Sequence, residues 1–256
     1  MVRPMSNLQA LIFDVDGTLA DTERDGHRVA FNRAFAEAGL EWDWSVEFYS
    51  ELLAVTGGKE RIRFYIEKYL PDVQMFSDSA IADLHTAKNK YYRELAAAGK
   101  IPLRPGVKRL IQEARSQGMR LAISTTSAVP NVQALLEKSL DPTWFELIAA
   151  GDMVPTKKPA PDIYHYVLKE MNLAPQDCLV IEDSLHGLQA AIAANLNTIV
   201  TVNEYTKNQD FSQALLVLDH LGEPELPFSV LHGNADNASY LDLAALKNLH
   251  LKIQDH

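Results

Sequence analysis

Residues 8–18 read LQALIFDVDGT, a short apolar run, Leu8–Phe13, that stops abruptly at Asp14-Val15-Asp16-Gly17-Thr18. Such a run, bounded by turn residues, reads as a buried strand. Side chains two apart on an extended segment point the same way, so Asp14 and Asp16 can reach one site at the strand's end. Gly17 then lets the backbone turn sharply close to a ligand. A polar strand end and a turn would also account for this segment. Two neighbouring acids repel, however, unless they share a proton or hold a hard metal ion.

Further apolar runs at Leu121–Ser124, Leu147–Ala150, Leu179–Ile181 and Thr198–Val202 predict more buried strands. Between them Val107, Leu110, Ile111 and Ala114 form a helical stripe, as do Tyr164, Val167, Leu168 and Met171. Strand and helix in alternation predict an α/β fold with a parallel sheet, in which ligands sit beyond the carboxyl ends of the strands. The stretch 22–99 breaks this rhythm and reads as a helical insertion after the first strand. Thr22-Glu23-Arg24-Asp25 has the form of a capping box, opening a helix with Phe31, Phe35 and Ala38 on one face. The predicted organisation is a core of 1–21 and 100–221, an inserted cap of 22–99, and a tail of 222–256. Leu215–Leu218 is expected as a last edge strand, and Leu246, Leu249 and Ile253 suggest a short terminal helix.

The charge balance, 24 Lys and Arg against 34 Asp and Glu, is −10 and argues against a nucleic-acid surface. An anionic ligand must therefore be met by local cations. The single cysteine, Cys178, lies in the apolar run CLVIE and reads as a buried thiol. No apolar stretch approaches the roughly 20 residues of a membrane helix, and the start has no signal-peptide pattern. A cytoplasmic monomer without membrane or nucleic-acid partners is expected. The dinucleotide motif G-x-G-x-x-G and the P-loop are both missing from the sequence.

Polar groups follow the later strands as well. Ser124-Thr125-Thr126 ends the second, Lys157-Lys158-Pro159 follows the third, and Glu182-Asp183-Ser184 closes the fourth. Singly these read as a turn, a solvated pair and a helix cap. Together, Asp183 could supply another carboxylate oxygen to magnesium, while Thr125 and one Lys could meet a phosphoryl group.

In this order the motifs resemble those of the haloacid dehalogenase superfamily: Asp14-x-Asp16-Gly17-Thr18, then Thr125, Lys158-Pro159 and Glu182-Asp183. The resemblance implies a Rossmann-like core and a magnesium-dependent phosphatase. It makes Asp14 the nucleophile and Asp16 the general acid and base, with a backbone carbonyl on the metal. Thr125, with Thr126, and Lys158 would hold phosphoryl oxygens, Lys158 rather than Lys157 because it precedes proline. Asp14, Asp16, Glu182 and Asp183 would serve Mg2+.

Within the insertion, Glu23 with His27-Arg28, Gly57-Gly58-Lys59-Glu60-Arg61, and the subsequent Leu103-Arg104-Pro105-Gly106 are similar to the CbbY-like branch. That branch hydrolyses xylulose 1,5-bisphosphate, an inhibitor of Rubisco, to xylulose 5-phosphate. By this resemblance Glu23, His27, Gly58, Lys59 and Arg61 would bind substrate, with Lys59 and Arg61 clasping the second phosphate. Each also has a plain structural reading as a helix-end, surface or turn residue. The branch is similar in turn to β-phosphoglucomutase, so a phosphomutase stays open, as does a non-catalytic binder on the same fold. Thr18, where the mutase usually has Val, favours the phosphatase.

Overall fold

The structure, a computed structural model, describes residues 7–55, 57–71 and 76–254. The chain divides into two compact units: Met1–Asp21 with Pro102–His256, and Thr22–Ile101.

The first unit is built on β1 (Ala10–Phe13), which leads out of it directly into the second. The second unit contains α1 (Arg28–Glu37), α2 (Val46–Leu52), α3 (Gly58–Tyr69) and α4 (Asp78–Ala97). The chain then returns through α5 (Val107–Ser116), β2 (Arg120–Ser124), α6 (Val129–Ser139), β3 (Leu147–Ala149), α7 (Asp162–Glu170) and β4 (Cys178–Glu182). It ends with α8 (Leu185–Ala193), β5 (Asn197–Thr201), β6 (Leu216–Leu218), β7 (Val230–Gly233) and α9 (Leu243–Gln254). Among the described residues the strands form one sheet in the order β3-β2-β1-β4-β5-β6-β7, parallel except for β7. This is the α/β fold that the alternating sequence predicts.

Sequence patterning explains the packing. Ile12, Ala122 and Val180 lie in one apolar cluster with Tyr164 and Val167 of α7 and Ala190 and Ala191 of α8, all fully buried. The predicted stripe of α5 is buried along its whole length. Cys178 is buried as expected, and burial pushes its thiol up to about 12.

The edges of the sheet differ from expectation. β6 is an interior strand, and the edge is β7, whose four residues are exposed and carry no apolar alternation to betray them. Residues 222–254 fall within the first unit, and Glu223 accepts hydrogen bonds from Gly106 N (2.9 Å) and Arg109 Nε (3.0 Å).

In the second unit Phe31 and Phe35 are fully buried among Trp44, Tyr49 and Trp42. Ala38 is exposed instead, because α1 ends at Glu37, and Ala34 takes the buried position. The segment Thr22–His27 is a π-helical turn rather than the capped start of an α-helix, and α1 begins only at Arg28. Such wide turns are rare and recur at functional sites.

Candidate active site

Strand order reverses on either side of β1, where the chain crosses from β3 to β4, and this is the point at which parallel sheets open to ligands. Register does the alignment. Phe13 pairs with both Ile123 and Ile181, so the next residues, Asp14, Ser124 and Glu182, stand level at the carboxyl edge. Lys158, from the loop after β3, inserts its ammonium among all three. Its Nζ lies 2.8 Å from Asp14 Oδ1, 2.8 Å from the Ser124 carbonyl and 2.5 Å from Glu182 Oε1.

Glu182 is fully buried and accepts hydrogen bonds on both oxygens. Besides Lys158, its Oε1 accepts from the Tyr164 hydroxyl (2.9 Å), and its Oε2 from Asp183 N (3.1 Å) and Ser184 Oγ (3.3 Å). Ser184 also caps α8 by accepting from Gly187 N. Asp183 is held differently: its Oδ2 accepts from Asn203 Nδ2 at 2.6 Å and lies against Gly17. Gly17 has φ +91°, and a Cβ there would fall 2.3 Å from that oxygen, so the turn requires glycine on both counts.

Asp16 faces the hydroxyls that follow β2. Its Oδ2 accepts from Ser127 Oγ (2.5 Å) and Thr125 Oγ1 (3.4 Å). Thr125 is buried, and Thr126 is half-buried with its backbone against Gly151.

Burial raises the Asp14 carboxyl to about 8; Lys158 pulls it down, while Glu182 and Asp16 push it up. Asp183 is raised well above the carboxylate range by burial and by its neighbours Asp14 and Glu182, against the pull of Arg104 and Asn203. Lys158 is raised well above the usual ammonium, because Asp14 and Glu182 overcome the opposing effect of burial. One ammonium thus faces three buried carboxyls, an arrangement that calls for a further cation. Asp14, Glu182 and Asp183 each offer an oxygen within 4.8 Å of the others. An all-oxygen set suits a hard divalent ion such as magnesium. Asp16 contributes no side-chain oxygen to this group.

The residues singled out in the insertion form a network of their own. Glu23 Oε2 accepts from the Tyr49 hydroxyl (2.6 Å) and lies 3.6 Å from Arg61 Nη1. Arg61 is buried in the first turn of α3 and donates to the Leu52 carbonyl (3.2 Å), the Tyr49 hydroxyl (2.5 Å) and the Val55 carbonyl (3.3 Å). Lys59 is exposed, and Gly58 packs so closely on His85 that a Cβ would lie 2.6 Å from the ring. His27 is buried, stacked 4.1 Å from Tyr92, with Nδ1 2.8 Å from Lys88 Nζ. Burial, then Lys88 and Lys59, pushes His85 down to about 4.

Sequence reasoning missed Ser127, Tyr164, Asn203, Tyr49 and Lys88. Ser127 directly follows Thr125-Thr126 and so continues the run of hydroxyls after β2, while Tyr164 in the sequence is indistinguishable from the rest of its apolar stripe. Asn203 follows the β5 run directly and could have been found by the same rule of inspecting strand ends.

The family profile described as haloacid dehalogenase-like hydrolase matches residues 8–195, and the chain belongs to that family of hydrolases. Protein CbbY, encoded on a plasmid of Cupriavidus necator, is 46% identical over 248 residues, covering 95% of this chain and 97% of that protein. The crystal structure of a CbbY variant from Rhodobacter sphaeroides in complex with xylulose-(1,5)bisphosphate has a TM-score of 0.76 at 45% identity, covering 83% of this chain and 94% of that one. A β-phosphoglucomutase from Clostridium difficile, 23% identical with a TM-score of 0.71 over 97% of this chain and 100% of that one, shares the fold. The chain is a phosphatase, acting on phosphoric monoesters. Among the described residues no helix is long and apolar enough to cross a membrane.

Proposed function

We propose that this enzyme is a magnesium-dependent sugar-bisphosphate phosphatase, converting xylulose 1,5-bisphosphate to xylulose 5-phosphate. The observation that carries the reading is the Asp14–Lys158–Glu182–Asp183 cluster at the switch point. The bisphosphate bound to the related Rhodobacter protein supports the substrate.

Asp14 and Asp183 would hold the ion, with Glu182 in the same group, and the ion would supply charge neutralisation for an anionic nucleophile and an anionic phosphoryl group. Glu182 serves chiefly to anchor Lys158, since its oxygens already accept from Lys158, Tyr164, the Asp183 amide and Ser184. Asp14 attacks phosphorus as a carboxylate and forms an acyl-phosphate; Lys158 neutralises charge on the transferring group. Asp16, steadied by Ser127 and Thr125, gives a proton to the departing sugar oxygen and then takes one from the water that hydrolyses the acyl-phosphate. Thr125 and Thr126 bind phosphoryl oxygens. Thr22–Ile101 acts as the substrate-reading cap, where exposed Lys59 meets the second phosphate and Glu23, His27 and Gly58 bind the sugar. Arg61 supports that surface from within by fixing Tyr49 and Glu23.

Phosphate release over a panel of sugar mono- and bisphosphates, with and without magnesium, tests the proposal. The expected result is one phosphate released per xylulose 1,5-bisphosphate, with xylulose 5-phosphate accumulating only when magnesium is present. Interconversion of glucose 1- and 6-phosphates dependent on a bisphosphate primer would replace the phosphatase reading with a phosphomutase. Full turnover in the presence of a chelator would remove the metal.

A further inference from the structure

Arg104 lies where the first unit resumes, two residues after Pro102, and stands outside the cluster of Asp14, Lys158, Glu182 and Asp183. Its backbone N–H donates to the Leu19 carbonyl (2.9 Å), while Leu103 bridges to Ala20. The outgoing and returning passages of the chain are therefore laced together at this residue. The side chain is buried and its guanidinium is spread over several acceptors. Nη1 donates to the carbonyls of Gly17 and of Thr201 (2.9 Å), and lies 3.2 Å from Thr201 Oγ1. Nη2 donates to the carbonyls of Val202 (2.5 Å) and Asp219 (2.7 Å), and Nε lies 3.5 Å from the Asp21 carboxylate.

Two of these anchored segments bracket one oxygen of Asp183. Gly17 lines one side of Asp183 Oδ2, where an added Cβ would fall 2.3 Å from that oxygen, and Asn203, the residue after Val202, donates to the same oxygen at 2.6 Å. We infer that Arg104 is a positioning residue of the metal site: by tying the Gly17 and Thr201–Val202 carbonyls to one rigid fork, it fixes the orientation of the Asp183 carboxylate. A planar guanidinium with five donors can hold divergent carbonyls at once, which a lysine ammonium, a point charge on a flexible stem, cannot reproduce. Groups that orient a metal-ligating carboxylate control affinity although they never touch the ion. The inference rests on the magnesium reading above.

The test is calorimetric titration of the metal-free protein with Mg2+, comparing wild type, Arg104→Lys, Asn203→Ala and the double variant, all of which keep the carboxylates. Each single variant is expected to raise the dissociation constant about tenfold, the lower end for loss of an outer partner. Because both act on the same oxygen, the double variant should be no more than about twofold weaker than the worse single variant. Folded Arg104→Lys binding Mg2+ as tightly as wild type would overturn the inference. So would penalties that multiply in the double variant, since the two residues would then act independently. If Arg104→Lys does not fold, Arg104→Gln is measured in the same way; failure of both to fold makes Arg104 a part of the fold alone, and the inference is wrong. Wild type that binds no Mg2+ refutes the metal reading instead, a result distinguishable from all the others.

Discussion

Gly187→Ala places a methyl group in the one direction the site cannot yield. Gly187 lies in the first turn of α8, and a Cβ there would fall 2.0 Å from Glu182 Cδ and Oε1 and 2.1 Å from Oε2. Ordinary carbon contacts lie near 3.5–4.0 Å, so the carboxylate or the helix must retreat by more than about 1 Å. The carboxylate is not a loose chain end, because Lys158, Tyr164, the Asp183 amide and Ser184 all hold it. Overpacking costs about 1–3 kcal/mol, and loosening a hydrogen bond to a charged group costs about 1.5–3 kcal/mol. Against these stands the gain of up to about 1 kcal/mol that alanine brings to a helix. The net loss, about 1.5–6 kcal/mol, should lower Tm by at least about 3 °C at the usual about 2–4 °C per kcal/mol for a chain of this size. Turnover should fall as well, since Lys158 is displaced with its partner. Thermal melting followed by near-UV circular dichroism, with phosphate release on the same preparations, reads both effects. An unchanged or higher Tm, as alanine gives at an unconstrained helix glycine, would refute the packing argument.

Asp14→Asn should abolish turnover while the protein stays folded, because an amide forms no acyl-phosphate; more than about a tenth of wild-type phosphate release, well above what loss of a nucleophile permits, would displace it from that role. The Asp14 carboxyl, at about 8 in the fold against an ordinary 3.8, keeps its proton where the unfolded chain has lost it. Its contribution to metal-free stability is therefore full at low pH and declines as pH rises through that window. Urea midpoints of wild type and Asp14→Asn, measured across this range, should diverge with rising pH to the disadvantage of wild type, and magnesium should restore the wild type; parallel curves would count against the buried, raised carboxyl. Ser127→Ala removes the 2.5 Å donor to Asp16 and should cost about ten- to a hundredfold in turnover, the worth of a bond to a charged group. Wild-type rates for that variant would leave Asp16 positioned by other means. In the second unit, Lys59→Ala should impair a bisphosphate more than acetyl phosphate, whereas Arg61→Ala should chiefly lower Tm. Equal losses of both activities in Lys59→Ala would remove it from the second phosphate.

Much of the first unit was legible because its information is local. A parallel strand buried on both faces must be a short apolar run, and the residues directly after it must stand at the ligand-binding edge, so Asp14, Thr125 and Asp183 could be singled out without coordinates, whereas Lys158, farther along the loop after β3, is singled out by the motif it shares with the family. What local pattern cannot carry is which acceptor a long polar side chain reaches. Arg61 reads in the sequence as a cation beside a glycine pair that clasps a second phosphate, yet it is buried and three of its acceptors come from Tyr49, Leu52 and Val55, at positions the pattern leaves unspecified. Glu182 illustrates the same limit inside the site. As one of two adjacent acids it reads as a metal ligand, and it does stand with Asp14 and Asp183 in the carboxylate group; what the sequence hides is that register also sets it beside Tyr164, whose hydroxyl it accepts along with Lys158. The β7 edge was invisible for the converse reason: with all four residues exposed there was no buried face to impose a period. Arg104 combines both limits, for its acceptors lie at residues 17, 201, 202 and 219. Only the closing of the sheet brings those distant carbonyls together, so the residue that ties the strand ends around Asp183 carries no mark of that role in the sequence beside it.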